Sequence, residues 1–414
     1  MSMSSSADIS ADILIVGGGM VGATLGITLS RAGLKVALAD RLAAEADTAK
    51  SYDGRASAIA NGSVNILKGI GVWPYLEANA SPIWDIRVAD GHPLRGISPL
   101  FLHYDHSDVG ESPFGYIIEN CSIREALRLV ASGCKTLKLL ESANIVSVQR
   151  GPFGVFAETE SGIQLNASLL IAADGRGSQI RNEAGIKTRV KMYDQKSIVC
   201  NVHHERVHAG TAVELFLPGG PFAMLPMTEN RCNVVWTERI DLVDHYIALP
   251  EERFLKELSQ RFGGWLGKID LVSPRHVYPL GMLHAERYTG QRLALVGDAA
   301  HAIHPIAGQG LNLGLRDVAA LAELIVDTSR IGGDVGSKNI LGRYERWRRF
   351  DNFVLIAVTD SLNRLFSNDI GPLRLSRDVG LALVDKLPLV KKFLMRHAMG
   401  QVGKLPRLVR GDTL

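Results

Sequence analysis

The chain has 414 residues, 46% hydrophobic and 21% charged, which suits a soluble globular protein with a large core and room for two lobes. Its 46 Lys and Arg against 43 Asp and Glu leave a formal charge of only +3, too small to argue for a nucleic-acid partner. The 4 cysteines are scattered without a C-x-x-C pair, which excludes a redox disulfide, a zinc knuckle or an iron–sulfur site and fits a reducing compartment. The Ser-rich start lacks the basic and apolar regions of a secretory signal, and no apolar run approaches the roughly 20 residues of a membrane span.

Residues 12–16 (DILIV) read as a strand that leads directly into Gly17-Gly18-Gly19-Met20-Val21-Gly22. A helical pattern follows to Ala32, with Gly33 as its stop. A G-x-G-x-x-G turn needs this setting to hold a dinucleotide pyrophosphate. Gly17 makes the turn, Gly19 lets the backbone approach the phosphates, and Gly22 lets helix and strand pack closely, with further close approach at Gly26. Residues 35–39 form a second strand. Asp40 ends it, roughly twenty residues after the first glycine, where an acid binds adenosine ribose hydroxyls and disfavours a 2′-phosphate.

Residues 52–67 open with turn residues and continue as a helix with Arg55 at its start. A guanidinium fork matches phosphate oxygens, yet the simpler reading of Arg55 alone is a solvated surface charge, and the same holds for Arg124 in a helix over 122–130. Strands over 145–148, 155–157 and 165–172 extend the sheet. The last runs into Asp174-Gly175, followed by Ser178 and Arg181, and so reads as a second binding loop at a strand end.

From about 187 to 280 the pattern changes to short alternating strands (197–202, 212–217, 222–226, 232–237) separated by turn residues, which predicts an antiparallel sheet interrupted by a helix over about 250–262. A run over 272–280 leads back toward Arg292. This region is the natural substrate lobe, with Phe216, Phe222, Met224, Leu225 and Trp236 as pocket lining or core.

The stretch 292–317, RLALVGDAAHAIHPIAGQGLNLGLRD, is the most specific in the chain. A buried strand over 293–296 ends in Gly297-Asp298, which places Asp298 at the carboxyl end of a sheet strand to accept from a sugar or ribityl hydroxyl. A tight turn through Pro305, Gly308 and Gly310 opens a helix over about 311–325, with Gly314 inside it. The free first-turn N–H groups of such a helix, with a dipole equivalent to roughly half a positive charge, suit the pyrimidine end of a reduced flavin. His301 and His304 are three apart, but no nearby residue supplies a third ligand, so no metal is expected. No G-x-S-x-G elbow is present, and a single complete glycine motif argues against a second resident dinucleotide.

Toward the end, Tyr344, Trp347, Phe350, Val354, Val358, Leu362 and Leu365 recur at helical spacing behind a cluster of Arg343, Arg346, Arg348 and Arg349. This helix is expected to pack on the cofactor lobe. From Leu381 onward, apolar residues are interleaved with seven basic residues against the single acid Asp412 after Lys386, a pattern expected to meet a membrane or a partner complex.

Together these residues resemble the class A flavoprotein monooxygenases of the p-hydroxybenzoate hydroxylase type, and within them the ubiquinone-biosynthesis hydroxylases, the UbiH/UbiF/Coq6 family. The resemblance spans nearly the whole chain, and HAIHPIAGQGLNLGLRD, FLPGGPFAMLPM, TDSLNRLFSND and Ala398-Met399-Gly400 carry its most specific part. One departure is Asp40 where a glutamate is more usual. The resemblance implies an α/β fold in which a Rossmann-like FAD-binding domain (1–80, 121–186, 286–340) is interleaved with an antiparallel β-sheet substrate domain (81–120, 187–285) and followed by a helical C-terminal region (341–414). The cofactor-binding set it implies is Gly17, Gly19, Met20, Val21, Gly22, Asp40, Arg41, Arg55, Arg124, Val146, Asp174, Gly175, Gly297, Asp298, Pro305, Gly308, Gly310, Leu311 and Asn312.

The implied reaction puts the hard chemistry on the cofactor. NAD(P)H reduces FAD and leaves, and O2 then forms a flavin C4a-hydroperoxide that hydroxylates the ring of a polyprenylated phenol. No catalytic side chain is assigned. The alternatives are a flavin-dependent prenyl reductase and a flavin-binding subunit that organises a ubiquinone-synthesis complex. The implied location is cytoplasmic, peripherally associated with the inner (cytoplasmic) membrane, with other ubiquinone-biosynthesis proteins as partners and room for a homo-oligomer.

Overall fold

A computed structural model describes residues 8–43, 53–92, 96–304, 306–366 and 384–414. Its hub is the strand Ile9–Val16, in which Ile13, Leu14 and Ile15 are almost wholly buried, as a strand covered on both faces requires. It pairs in parallel with Gln164–Ala172 on one side and Val36–Ala39 on the other. Leu293–Leu295 and Leu137–Leu140 extend the parallel run outward. The hairpin of Ile145–Arg150 and Val155–Thr159 attaches to Gln164–Ala172 antiparallel. Met20–Arg31 packs against both Asn120–Ser132 and Gly310–Arg330, so the helix behind the glycine turn is central to the lobe. Strand ends 16, 172 and 295 therefore lie side by side, which is where an open α/β sheet binds ligands.

The second lobe is a nine-stranded sheet among the described residues, built on the long strand Thr188–His204. Its order runs His301–Ala302, His276–Ala285, Thr188–His204, Arg231–Arg239, Gly220–Met227, Thr211–Leu217, Asp85–His92, Gly96–Asp105, and the ninth strand, Ile269–Leu271, pairs with the end of Thr188–His204. It is not wholly antiparallel as expected, because Thr211–Leu217 runs parallel to Asp85–His92. The returning strand is His276–Ala285, later than the expected 272–280, and a helix Ile240–Ala248 precedes the expected Glu251–Phe262. Both helices cover one face, where Phe222, Met224, Trp236 and Phe254 form a core.

Residues 52–67 are not turn then helix. Ala56–Ala60 is a strand that pairs with Gly115–Glu119, which also holds Ser81–Ile83, and the helix begins only at Asn61. The small residues of ASAIA carry little pattern of their own, and pairing with a segment nearly sixty residues away decides the conformation. The 81–120 segment thus divides, with Asp85–His92 and Gly96–Asp105 in the large sheet and its ends in this three-stranded one.

The helix Lys338–Phe366 packs on the cofactor lobe through its first half. Tyr344 is fully buried, with its hydroxyl donating to the Leu295 carbonyl at 2.8 Å. From Phe350 onward it leaves Phe350, Phe353, Val354 and Val358 exposed. The basic tail, expected to meet a membrane or a partner complex, is in part a structural element as well. Met395, Met399, Leu408 and Val409 are buried, Arg407 pairs with Asp327 and Glu323, and Lys391 pairs with Asp108 and Asp385. Leu381 and Leu383, part of that expectation, lie outside the described residues.

Candidate functional site

The glycine turn is shaped by close approach at two points. Gly17 has φ +104°, and a Cβ there would meet the Ala173 carbonyl oxygen at 2.4 Å. A Cβ at Gly22 would stand 1.9 Å from the Gly17 oxygen, so the first helix can sit on the turn only with glycine there. A Cβ at Gly19 would meet nothing within 4 Å, and the helix starting at Met20 has no side-chain cap. Its first N–H groups are thus directed at an open cradle, as pyrophosphate binding requires.

Asp40 stands at the next strand end, where its Oδ2 accepts from Gly18 N at 2.6 Å and its Oδ1 from Leu42 N at 2.9 Å. It therefore braces the turn as well as presenting a carboxylate. Gly18, Met20, Asp40, Leu42, Arg124 and Arg128 line a cleft that is open at its mouth. Arg41 is exposed beside it. Val146 is half-exposed on the edge hairpin and is not among the residues lining this cleft.

The structure brings Arg55 and Arg124 together through Asp53, which the sequence reading missed. Arg55 Nε donates to Asp53 Oδ2 at 2.8 Å, and Arg124 lies 3.7 Å from the same oxygen. Arg55 precedes a strand instead of opening a helix, and it lies over the Tyr278 ring at 4.9 Å. The Tyr278 hydroxyl donates to the Asp53 carbonyl, so the substrate sheet holds this cluster in place.

At the second strand end, Gly175 has φ +83° and again faces open space. Ser178 Oγ accepts from Arg181 N, which explains the serine, and Arg181 crosses to donate to the Ala299 carbonyl at 3.0 Å. Arg176 Nε donates to Asp298 Oδ2 at 3.2 Å. These two arginines clamp the Asp174-Gly175 loop to the Gly297-Asp298 loop. Asp174 Oδ2 accepts from Ile180 N, whereas its Oδ1 is buried without a partner. A buried acceptor left open beside a cradle calls for a hydroxyl donor, as the ribityl chain of FAD would provide.

The third loop turns through Gly297 in a 3-10 turn, and Val21 packs against both Gly297 and Gly314. The helix Gly310–Arg330 starts without a side-chain cap and with open space at Gly310. Leu311 is half-buried against the core, and Pro305 lies outside the described residues. Asn312 has partners within the protein. It is fully buried, its Oδ1 accepting from Ala60 N at 2.9 Å and its Nδ2 donating to the carbonyls of Ala58 and Gly308. Its side-chain amide is engaged by protein backbone, so it positions the Gly308 turn against the Ala56–Ala60 strand, and its own backbone N–H belongs to the uncapped first turn of the helix.

Behind this loop sits a buried ion network that the sequence reading did not find. Asp317 Oδ2 accepts from Gly297 N at 3.2 Å and from His301 Nε2, and its Oδ1 accepts from Arg348 Nε at 2.8 Å and Asn352 Nδ2 at 3.2 Å. His301, examined above for metal, uses its ring nitrogen here. Burial would raise the Asp317 pKa, but His301 and the Arg348 guanidinium outweigh it and lower it to about 2. The carboxylate stays ionised and holds the Gly297 turn by its backbone. Arg348 and Asp317 are thirty-one positions apart, so the only legible signal was an arginine and an acid at helix positions otherwise facing the core.

The nine-stranded sheet turns one face toward this site. Asn233 donates to the Gly54 carbonyl at 2.8 Å, and Ala212, Leu225, Ile86 and Tyr104 pack with Met395 and Met399. Of the five expected lining residues, Phe216 and Leu225 lie on this inner face. Phe222, Met224 and Trp236 point the opposite way, and the Trp236 and Tyr246 rings pack tilted at 51° with their centroids 4.4 Å apart. Burial lowers the His304 pKa to about 4, leaving a neutral imidazole next to the flavin loop.

Comparisons with known proteins agree with this geometry. The FAD binding domain family profile matches residues 10–350. The chain is 48% identical over 413 residues to the ubiquinone hydroxylase UbiL of Rhodospirillum rubrum, spanning 99% of this chain and 95% of that one. It is 32% identical over 395 residues to 3-demethoxyubiquinol 3-hydroxylase of Escherichia coli, spanning 94% and 98%. The fold is shared with the crystal structure of p-nitrophenol 4-monooxygenase PnpA from Pseudomonas putida DLL-E4, at a TM-score of 0.78 and 19% identity over 96% of this chain and 100% of that one. With that identity over almost its whole length, the chain belongs to the ubiquinone-biosynthesis hydroxylase family and is an FAD-dependent monooxygenase.

Proposed function

We propose that this protein hydroxylates the ring of a polyprenylated phenol in ubiquinone biosynthesis, with NAD(P)H as reductant. The observation that carries this reading is the 48% identity to the Rhodospirillum rubrum ubiquinone hydroxylase across essentially the full chain. Bound FAD supplies the activation of O2. The chain's own residues hold and enclose. The Gly17–Gly22 turn takes the pyrophosphate with Arg55 and Arg124 at its side, Asp40 the adenosine ribose, Asp174 and Asp298 the ribityl hydroxyls, and the uncapped start of Gly310–Arg330 the pyrimidine end. The inner face of the large sheet, closed by Met395 and Met399, keeps water from the phenol ring.

A lipid-tailed substrate also calls for peripheral contact with the membrane from the cytoplasmic side. On Pro388–Ala398, Leu389, Val390 and Phe393 are exposed beside Lys392 and Arg396, an apolar strip with basic flanks suited to an anionic bilayer. Among the described residues no helix is long and apolar enough to cross a membrane.

Mass spectrometry of quinone intermediates in a deletion strain tests the reaction. A polyprenylated ring lacking one hydroxyl should accumulate and disappear on complementation; an unchanged profile, or saturation intermediates of the prenyl chain, refutes it. Because the tail also carries core residues, Leu389→Glu with Phe393→Glu tests the membrane contact better than truncation. The pair should lose sedimentation with anionic vesicles while FAD stays bound, and undiminished sedimentation would refute the contact.

A further inference from the structure

The inner face of the large sheet carries one carboxyl with no structural explanation. Glu214 sits mid-strand in Thr211–Leu217, paired with Ala223 on one side and Val88 on the other. Cross-strand partners share a face, and so do alternate residues along a strand, which groups Glu214 with Ala212, Phe216, Leu225 and Asn233. That is the face on which Asn233 reaches Gly54 and Leu225 packs with Met395 and Met399, the side of the flavin site. Glu214 is partly accessible there among apolar neighbours. Among the described residues it has neither a hydrogen-bond partner nor a countercharge, and burial alone raises its pKa to about 7.

The other titratable groups around this face are either engaged or kept neutral by burial, and His304 Nε2 is a buried ring nitrogen without a partner. Asp90 Oδ1 accepts from Gly91 N, Arg231 pairs with Glu119, and Asp360 accepts from Lys191 and Tyr193. His304 Nδ1 accepts from Ile306 N, burial lowers the His397 pKa, and burial with Asp385 nearby holds the Tyr104 hydroxyl neutral, its pKa pushed up to about 12. A buried acid is normally paired or bonded, and one left open on a ligand-facing surface is a functional candidate.

We propose that Glu214 accepts the ring hydroxyl of the phenol and takes its proton, making it a catalytic residue of the hydroxylation. This rests on the reading above that the inner face holds the phenol. The O–H bond breaks, its electron pair stays on the phenol oxygen, and the proton passes to the Glu214 carboxylate. The anionic oxygen enriches the ortho and para ring carbons that receive oxygen. When the product ring regains aromaticity, Glu214 returns the proton to the same oxygen and the ring C–H proton leaves to water, so the carboxylate is restored. A phenol of pKa about 10 gives up its proton roughly a thousandfold uphill to an acid near 7, against roughly a millionfold to an ordinary glutamate. The enclosed position of the side chain therefore supports the transfer.

The test uses FAD-loaded protein, Glu214→Gln, Glu214→Asp and, as probe, a nitrophenol with a short prenyl chain whose anion absorbs visible light. Wild type should bind the probe as the anion and Glu214→Gln as the neutral phenol. For hydroxylation, kcat/KM of the wild type should fall on the acid side of about pH 7; Glu214→Gln should lose that limb and roughly 10²- to 10⁴-fold in kcat, with FAD content unchanged. Glu214→Asp should keep the limb and recover part of the rate. Anion binding by Glu214→Gln equal to wild type, or an unchanged acid limb, overturns the proposal. A wild type that binds the anion yet forms no hydroxylated product would refute the hydroxylase reading and leave the placement of Glu214 standing.

Discussion

Asp317→Asn should destabilise the folded protein by about 3–5 kcal/mol and release FAD as it does so. Four donors converge on the two carboxylate oxygens: Gly297 N, His301 Nε2, Arg348 Nε and Asn352 Nδ2. Asparagine offers one acceptor oxygen and turns an N–H pair toward donors at the other position. It also removes the main countercharge of Arg348, which is 1% exposed and keeps only the more open Asp351 at 3.1 Å. An uncompensated buried charge accounts for the figure, which is a large share of the roughly 5–15 kcal/mol that holds a typical domain together. Urea unfolding followed by circular dichroism and by the fluorescence of released flavin measures both effects. Adding Arg348→Met should recover part of the loss, because replacing both partners removes the unpaired charge. A single variant within about 1 kcal/mol of wild type, with the double variant no better, would refute the assignment. The pH sign is also fixed. The Asp317 pKa is depressed, so its contribution is complete above 3.8 and is lost as the pH falls toward about 2.

Gly22→Ala should abolish FAD binding in protein that still folds, since its Cβ would force the first helix off the Gly17 oxygen; equilibrium dialysis against FAD measures it, and wild-type affinity would refute the close-packing argument. Asp298→Ala should weaken FAD about ten-fold, the lower end for a charge-assisted bond because the side chain is half-exposed and already engaged by Arg176. Apoprotein titration checks this, and unchanged affinity would refute the strand-end role. Burial lowers the pKa of both His284 and His304 from 6.5 to about 4, so both favour the neutral form in the folded state. Their contribution is present above 6.5 and is lost as the pH falls toward 4; thermal melts of His304→Gln should lose less stability across that window than wild type.

Much of the geometry of the candidate cofactor site was legible because its demands are local. A strand, a turn with glycines at fixed offsets and a helix are contiguous in the chain, and each places its backbone groups without help from distant residues. The same is true of Asp40, Asp174 and Asp298, each at the end of an apolar run. The sheet alternation of the second lobe was equally visible, but not which of its faces met the flavin. Period two puts Phe222 with Met224 and Leu225 on the other side, yet only the cross-strand register brings in Trp236 and Glu214, and only the helices packed on one side and the Gly54 contact on the other assign the faces. Tertiary pairing alone made Ala56–Ala60 a strand, joined Arg55 and Arg124 through Asp53, and drew Arg348 from another helix onto Asp317. It also gave the Asn312 side chain a structural bond to the Ala56–Ala60 strand and turned part of the basic tail into core. Local patterns carry the backbone conformation of an element, whereas the partner of a side chain depends on which distant segment the fold brings to it.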